Sequence, residues 1–116
     1  MEDRFKRTAS LIGEEAVEKL VNSRVIIFGI GGVGGYVCEA LARAGIGSME
    51  LVDKDLVDET NINRQISALH TTVGRPKTEV AAERLKDINP SMEIKTRQQF
   101  YLPERGDEFN FGRYDY

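Results

Sequence analysis

An apolar segment that runs directly into a cluster of glycines constrains this chain more than any other feature. Residues 25–28 read Val-Ile-Ile-Phe, and glycines follow at positions 29, 31, 32, 34 and 35. Four large apolar residues without alternation predict a strand covered on both faces, as in a parallel sheet. The glycines allow a tight turn, close approach of the backbone to a phosphate group and close packing of a helix on the strand. The segment therefore predicts a strand, a turn and a helix N-terminus that binds an anion.

The spacing GxGxxG is weak evidence by itself, because glycine-rich turns also follow strands for purely local reasons. The residues that follow strengthen it. A helical pattern runs until Gly45 and Gly47, and residues 48–52 predict a second strand that ends at Asp53. Asp53 lies 19 residues after Gly34, where a nucleotide-binding βαβ unit places the carboxylate that accepts hydrogen bonds from ribose hydroxyls. The apolar positions of the intervening helix are Val37, Leu41 and Ala44.

Two further helices and one further strand are predicted on either side of this unit. Residues 14–22 form a short helix, with acidic residues in its first turn and one apolar stripe. A second helix covers residues 77–89 and ends there because Pro90 follows. Residues 92–97 alternate as a third strand, whereas residues 54–66 are polar and aperiodic and predict a loop. The apolar stripes of the two helices are Ala16, Val17, Leu20 and Val21, and Ala81, Leu85 and Ile88.

Two successive βα units predict an α/β fold with a Rossmann-like, doubly wound and mainly parallel sheet, joined by right-handed crossovers. Strand 1 is expected in the centre, between strand 2 and a fourth strand that residues 113–116 approach. We therefore expect the chain to be the N-terminal part of a larger domain, ending before or within the fourth strand. Residues 1–23 comprise an arm, over residues 1–10, and the first helix; residues 24–116 form the nucleotide-binding portion.

Composition narrows the classes of protein to which the chain can belong. Its 116 residues suffice for one domain core, and the formal charge of −3 creates no strong field that recruits nucleic acid or an anionic membrane. The single cysteine excludes an intramolecular disulfide and a multi-cysteine zinc site. Since there is no signal-like or membrane-spanning apolar run, a soluble cytoplasmic protein without membrane association is expected.

Two cationic residues favour a triphosphate over a dinucleotide as the ligand. Arg64 lies in the loop after strand 2 and Lys77 begins the following helix, both where loops meet the ligand side of a parallel sheet. A dinucleotide needs little beyond backbone amides, whereas a triphosphate benefits from a guanidinium fork and a lysine charge. Taken singly, each residue is equally well explained as a solvated surface charge. Together with the glycines and Asp53, they indicate a nucleotide triphosphate site.

These residues resemble the adenylation-domain family of the ubiquitin-activating-like enzymes. That family includes the bacterial sulfur-carrier adenylyltransferases of molybdopterin and thiamine synthesis and the tRNA threonylcarbamoyladenosine dehydratases. Residues 60–66, followed by Ala68-Leu69, resemble the dehydratase branch more than the sulfur-carrier branch. The motifs that carry the family resemblance are Arg4-Phe5-x-Arg7, Gly29-Ile30-Gly31-Gly32-Val33-Gly34, Ala44-Gly45-Ile46-Gly47, Asp53-x-Asp55, Asn61-x-x-Arg64-Gln65, Val73-Gly74-x-x-Lys77 and Ile88-Asn89-Pro90.

The resemblance implies a role for each matching position. Asp53 would bind the ribose of ATP, with Asp55 in a secondary role, and Arg7 would reach the nucleotide of the other subunit in a homodimer. Arg64, Lys77 and Arg7 would be the catalytic residues. The principal aspartate that binds Mg²⁺ is expected after the fourth strand, beyond this chain, and no metal ligand is assigned within it. The remaining positions implied to bind ATP are Gly29, Gly31, Gly32, Gly34, Asn61, Arg64, Gln65 and Lys77.

The implied reaction is ATP-dependent adenylation of a carboxylate. The substrate expected from the branch is threonylcarbamoyladenosine in tRNA, which cyclises with loss of water. One alternative is the C-terminal glycine of a ubiquitin-like sulfur-carrier protein. Two further alternatives are an NAD-dependent dehydrogenase and a non-catalytic nucleotide-binding module. The 116 residues alone are expected to be inactive. Cys38 is expected to pack as a small apolar residue, and His70 has no cluster that would make it a metal ligand or a catalyst.

Overall fold

The computed structural model describes residues 2–116. Two N-terminal helices, α1 (Lys6–Ile12) and α2 (Glu14–Val21), precede a sheet of three parallel strands. The strands are β1 (Arg24–Phe28), β2 (Ser48–Val52) and β3 (Glu93–Arg97), in that spatial order. The crossover helices are α3 (Val33–Ala44) and α4 (Lys77–Ile88). This arrangement confirms the α/β fold with a parallel sheet.

The core lies between the sheet and the two crossover helices. Alternate residues of β1 and β2 face α3 and α4, so that Val25 pairs with Met49 and Ile27 with Leu51 on this face. Both crossover helices contribute to the same apolar cluster, which means that they cover the same face of the sheet. The buried members of the cluster are Val25, Ile27, Ile30, Cys38, Ala42, Ile46, Met49, Leu51, Ala81, Leu85 and Met92.

The other face of β1 is less covered than its continuous apolar run predicts. Ile26 is half-buried, and Phe28 is 38% exposed. Residues 98–114, which include short 3₁₀ turns, cross this face instead of an α-helix. The ring centres of Tyr101 and Phe109 lie 4.8 Å and 5.3 Å from that of Phe28. An aromatic cluster thus covers the end of the strand.

β1 lies at one edge of the three strands rather than at their centre. The last two residues of the chain lie along its free edge, where Asp115 N–H donates to the Arg24 carbonyl at 2.7 Å and Ile26 N–H donates to the Tyr116 carbonyl at 3.0 Å. This is the side on which a fourth strand is predicted. With that strand in place, β1 would be central.

The N-terminal segment, predicted as an arm over residues 1–10, is anchored to the rest of the fold. Residues 6–12 are helical, and the preceding Phe5 is buried against Gly45, where an added Cβ would lie 2.9 Å from the ring. Arg4 donates to the Asn89 side-chain oxygen at 2.8 Å and to the Ile88 carbonyl at 3.2 Å. One aromatic ring and one guanidinium group therefore attach this segment to the rest of the fold.

The buried face of α3 is offset from the predicted stripe. Gly35, Cys38 and Ala42 are buried, whereas Val37 is exposed. Cys38 packs as a small apolar residue, as expected, and burial raises the pKa of its thiol to about 12. In α4, by contrast, the predicted Ala81 and Leu85 do face the core. None of the helices in residues 2–116 is both long and apolar enough to cross a bilayer.

Candidate nucleotide-binding site

The glycine loop joins β1 to α3 and leaves no room for side chains at its narrowest point. Gly29 has φ +80°, and a Cβ on Gly34 would lie 1.8 Å from the Gly29 carbonyl oxygen. The helix begins at Val33 without a side-chain cap; Gly34 N–H donates to the Gly31 carbonyl at 3.2 Å, and the other amides of the first turn remain available to an anion. The backbone of this loop can therefore approach a phosphate group closely.

Asp53 follows the last residue of β2 and is held by the glycine loop. Its Oδ2 accepts a hydrogen bond from Ile30 N–H at 2.9 Å, and its Oδ1 accepts one from Asp55 N–H at 2.8 Å. The backbone N–H of Asp53 donates to the Arg97 carbonyl at 3.1 Å. The carboxylate thus lies at the carboxyl edge of the sheet, next to the loop, in the arrangement expected of a ribose ligand.

A short antiparallel pairing brings Lys77 to the same edge. Residues 55–57 run beside residues 74–77, with a bridge between Leu56 and Pro76 and a hydrogen bond of 3.0 Å from Lys77 N–H to the Asp55 carbonyl. Gly74 begins the second segment with φ +88°, and its N–H donates to the Val57 carbonyl at 2.8 Å. The Val-Gly-x-x-Lys motif therefore folds back on the loop after β2 and begins α4 beside the site.

Lys77 is a buried cation with unused hydrogen-bonding capacity. Its side chain is 8% exposed, and its Nζ lies 3.9 Å from Asp55 Oδ2, too far for a hydrogen bond. Within residues 2–116 no hydrogen bond from Nζ is formed. Since an ammonium group has three donors and this one has only the distant Asp55 carboxylate beside it, the Nζ is suited to bind an anion.

The loop after β2 is ordered by its own capping box. Asp58 accepts a hydrogen bond from Thr60 N–H at 2.8 Å, and Asn61 Oδ1 accepts one from Asp58 N–H at 2.9 Å. The hydrogen bonds from Thr60, with a smaller contribution from the Lys77 charge, lower the pKa of Asp58. Asn61 is buried, so its side chain has a clear structural role in shaping this loop.

Two of the implied ligands follow directly from that turn. The backbone N–H groups of Arg64 and Gln65 both donate to the Asn61 carbonyl, at 3.1 Å and 2.9 Å. The Gln65 amide lies against Gly31, where an added Cβ would be 2.9 Å from its Oε1. Arg64 is exposed, and its Nη1 donates to the Thr60 carbonyl and to Asn63 Oδ1. Gln65 thus joins the loop after β2 to the glycine loop.

Two predicted cations have side chains that do not reach the glycine loop or Asp53: Arg64, which bonds only within its own loop, and Arg7. Arg7 is exposed on α1, and in residues 2–116 no hydrogen bond or ion pair connects it with the glycine loop, Asp53 or Lys77. His70 is exposed as well. The part of the chain that the structure describes has no group of three or more histidine, cysteine or carboxylate side chains able to hold a metal ion.

A cavity of about 230 Å³ opens beside Asp53 at the carboxyl ends of all three strands. Sequence reasoning missed part of its lining, namely Lys54 and the residues directly after β3. The Lys54 Nζ lies 5.0 Å from the centre of the Phe100 ring. The rule that ligands lie beyond the carboxyl ends of parallel strands would have indicated these positions. The cavity is lined by Phe28, Gly29, Val52, Asp53, Lys54, Asp55, Gln99, Phe100 and Tyr101.

The arrangement is chemically suited to a nucleotide that carries several phosphate groups. The glycine loop excludes side chains from the backbone amides, Asp53 supplies hydrogen-bond acceptors, and Lys77 supplies a buried positive charge with free donors. Such preorganised donors stabilise negative charge most effectively where water is partly excluded.

The chain is similar to proteins that use this architecture. The family model described as "ThiF family" matches residues 5–116. The tRNA threonylcarbamoyladenosine dehydratase of Bacillus subtilis is 49% identical over 105 residues, which is 90% of this chain and 41% of that protein. The adenylyltransferase and sulfurtransferase UBA4 of Vanderwaltozyma polyspora is 40% identical over 108 residues, which is 90% of this chain and 24% of that protein.

Solved structures of the Escherichia coli tRNA N6-threonylcarbamoyladenosine dehydratase, TcdA, share the fold. Its complex with AMP superimposes with a TM-score of 0.91 at 43% identity, covering 95% of this chain and 45% of that one. Its complex with ATP gives a TM-score of 0.88 at 45% identity, covering 90% of this chain and 43% of that one. The chain thus spans less than half the length of these relatives. It belongs to the ThiF family, and its fold is Rossmann-like.

Proposed function

We propose that this chain forms the nucleotide-binding part of an enzyme that uses ATP to adenylate a carboxylate. The observation that carries the proposal is Lys77, whose largely buried side chain places an ammonium group without a hydrogen bond to the protein at the edge of the sheet that also holds the glycine loop and Asp53. An NAD-dependent dehydrogenase on the same fold has no use for this added positive charge. The dehydratase structures with AMP and ATP support the same nucleotide.

Each residue has a role that follows from its chemistry. A carboxylate oxygen of the substrate attacks the α-phosphorus of ATP, the bond to the bridging oxygen breaks, and pyrophosphate leaves. Negative charge grows on the non-bridging oxygens and on the pyrophosphate during this step. Lys77 and Arg64 are the proposed cations that stabilise it, while the amides of the glycine loop orient the phosphates. The product is an acyl-adenylate.

The proposed substrate is the threonylcarbamoyl carboxylate on a tRNA adenosine. After adenylation, attack on the acyl carbon by another group of the same modification expels AMP, closes a ring and completes a net loss of water. The 49% identity with the Bacillus subtilis dehydratase supports this choice over other carboxylates. The chain covers 41% of that relative.

A second candidate substrate is the C-terminal glycine of a ubiquitin-like sulfur-carrier protein. The 40% identity with UBA4, an adenylyltransferase and sulfurtransferase, favours it. The chemistry at the α-phosphorus would be the same for both substrates. They differ only in the acceptor that is brought to the site.

Two further components belong to the proposal. Mg²⁺ would be held by the triphosphate together with the aspartate that the family resemblance implies after the fourth strand. Arg7, exposed on α1, would act on the nucleotide of the second subunit in a homodimer. Its exposure and the lack of contact with its own site are consistent with that role.

Exchange of labelled pyrophosphate into ATP tests the proposal in the complete protein. Exchange that depends on tRNA carrying threonylcarbamoyladenosine supports the dehydratase, and exchange that depends on a carrier protein supports the alternative. Unmodified tRNA and a carrier lacking its terminal glycine are the matched controls. No exchange with either substrate, from a protein that binds ATP, would contradict adenylation.

A further inference from the structure

A buried carboxylate lies in the middle of the sheet, at a position where an apolar side chain is typical. Glu50, in the central strand β2, is 3% exposed. Arg97 Nε donates to its Oε1 at 2.6 Å, and the Tyr114 hydroxyl donates to its Oε2. The Arg97 side chain is 34% exposed, and an ion pair that desolvates a carboxylate against a partly solvated partner adds little net stability to a fold. The pair between Glu50 and Arg97 therefore calls for a reason other than stability.

Arg97 connects this pair with two other parts of the molecule. Its backbone carbonyl accepts the hydrogen bond of 3.1 Å from Asp53 N–H. Its Nη1 donates to the Glu108 carbonyl at 3.0 Å, and its guanidinium carbon lies 4.7 Å from the centre of the Phe109 ring. The side chain thus holds residues 98–111 against the sheet, while the backbone of the same residue holds Asp53.

Residues 98–111 in turn form one wall of the cavity at Asp53. Gln99, Phe100 and Tyr101 line that cavity. The Tyr101 ring centre lies 5.6 Å from that of Phe109, which is buried under the Arg97 guanidinium group. A continuous series of contacts therefore runs from Glu50 through Arg97 and Phe109 to the cavity.

We infer that Glu50 and Arg97 are positioning residues of the nucleotide site. The pair sets the distance between the wall formed by residues 99–101 and the carboxylate of Asp53. Neither side chain lines the cavity, so both act through the segment that they hold. The inference rests on the proposed function insofar as the ligand of the cavity is ATP.

The test separates positioning from stability by replacing the whole pair. In the complete protein, Glu50→Met combined with Arg97→Met removes both charges and leaves apolar side chains of similar length, so the melting temperature should change little. The hydrogen bond to the Glu108 carbonyl and the contact with the Phe109 ring are lost. The Kd for ATP should therefore rise about tenfold, the effect that is typical when residues supporting a ligand-binding group are removed. Hydrogen exchange of residues 98–111 should become faster.

A second variant keeps the test decisive if the double variant unfolds. Arg97→Lys retains a positive charge beside Glu50 but lacks the fork that reaches the Glu108 carbonyl. It should fold normally, with faster exchange in residues 98–111 and a raised Kd for ATP. The matched control is Glu39→Met with Arg84→Met, which removes a partly buried ion pair of 2.7 Å between α3 and α4, away from the cavity. The control should leave the Kd for ATP unchanged.

The outcomes separate this inference from the proposed function. If the unmodified protein binds ATP and the pair variants bind it equally well, the positioning role is wrong and the proposed function stands. If the unmodified protein does not bind ATP, the proposed function is wrong. Hydrogen exchange of residues 98–111 then decides whether Glu50 and Arg97 order the wall formed by residues 99–101. Unchanged exchange in both Arg97 variants would overturn the inference in either case.

Discussion

Asp53 Oδ2 accepts a hydrogen bond of 2.9 Å from the backbone N–H of Ile30, and this bond ties the end of β2 to the glycine loop. Its Oδ1 is bound by the N–H of Asp55 in the loop that leads toward Lys77. Both donors belong to the backbone, so the orientation of the carboxylate depends on the path of two loops rather than on a single side chain. Changes in either loop should therefore alter the orientation of the Asp53 carboxylate.

Gly34→Ala should be strongly destabilising. The new Cβ would lie 1.8 Å from the Gly29 carbonyl oxygen, and a backbone atom cannot move away as a flexible side chain can. Displacing the loop should lower the free energy of unfolding by about 3 kcal/mol. This loss exceeds the roughly 1 kcal/mol by which alanine favours a helix over glycine. Urea denaturation measures the change.

Gly106→Ala is the control for this substitution. The nearest atom to its added Cβ is 3.7 Å away, an ordinary contact, and the free energy of unfolding should change by less than about 0.5 kcal/mol. Equal effects of the two alanine substitutions would show that the close packing of the glycine loop is not required.

Asn89→Ala should destabilise the fold without changing nucleotide affinity. The buried Asn89 Nδ2 donates to the Ala42 and Ile46 carbonyls at 3.3 Å and 3.2 Å, and its Oδ1 accepts from Arg4. Removing these partners should lower the free energy of unfolding by about 2 kcal/mol. The exposed Asn22→Ala is the control and should have little effect. A stable Asn89→Ala protein that loses ATP affinity would contradict this structural role.

Cys38 should be unreactive in the folded protein. Burial raises the pKa of its thiol from 9.0 to about 12, so the thiolate is scarce near neutral pH. Alkylation by iodoacetamide at about pH 8 should be slow and should accelerate in urea. Fast labelling of the native protein would contradict the burial of the thiol.

The same pKa shift predicts a loss of stability in alkali. The stabilising contribution is present below pH 9.0, where the thiol is protonated in both states, and is lost as the pH rises toward about 12. Cys38→Ala removes this titration, so its stability should fall less over that range. Parallel curves for the two proteins would contradict the assignment.

Elements bounded by local signals could be predicted from the sequence. β2 was predicted over residues 48–52 and lies there, because glycines precede it and a charged loop follows. The helix predicted to begin at Lys77 does so, between two prolines. The position of Asp53 beside the glycine loop likewise follows from the regular length of a βαβ unit.

Features that depend on distant contacts could not be predicted. Phe5 is buried only because Gly45 leaves space for its ring, some forty positions later in the chain. The wall formed by residues 99–101 depends on Arg97 and its partner Glu50, which no spacing rule connects. The buried face of α3 depends on where the helix meets the sheet, and so Val37 was misassigned.

Complementation tests the role proposed for Arg7 in a homodimer. In the complete enzyme, Arg7→Ala and Lys77→Ala subunits should each be nearly inactive as homodimers. After subunit exchange, a mixed dimer has one site with an intact Lys77 and an intact Arg7 from its partner, and activity should return. Full activity of Arg7→Ala alone, or no recovery despite proven exchange, would exclude action between subunits.

The central claim is that the glycine loop, Asp53 and Lys77 form one site for ATP, and calorimetric titration of the complete protein with ATP and with NAD tests it most directly. ATP should bind more tightly than NAD. Lys77→Met should weaken ATP binding by about tenfold or more, as expected for a hydrogen bond to a charged group, while the exposed Lys95→Met should not. Tighter binding of NAD, or unchanged ATP affinity in a folded Lys77→Met protein, would contradict the claim.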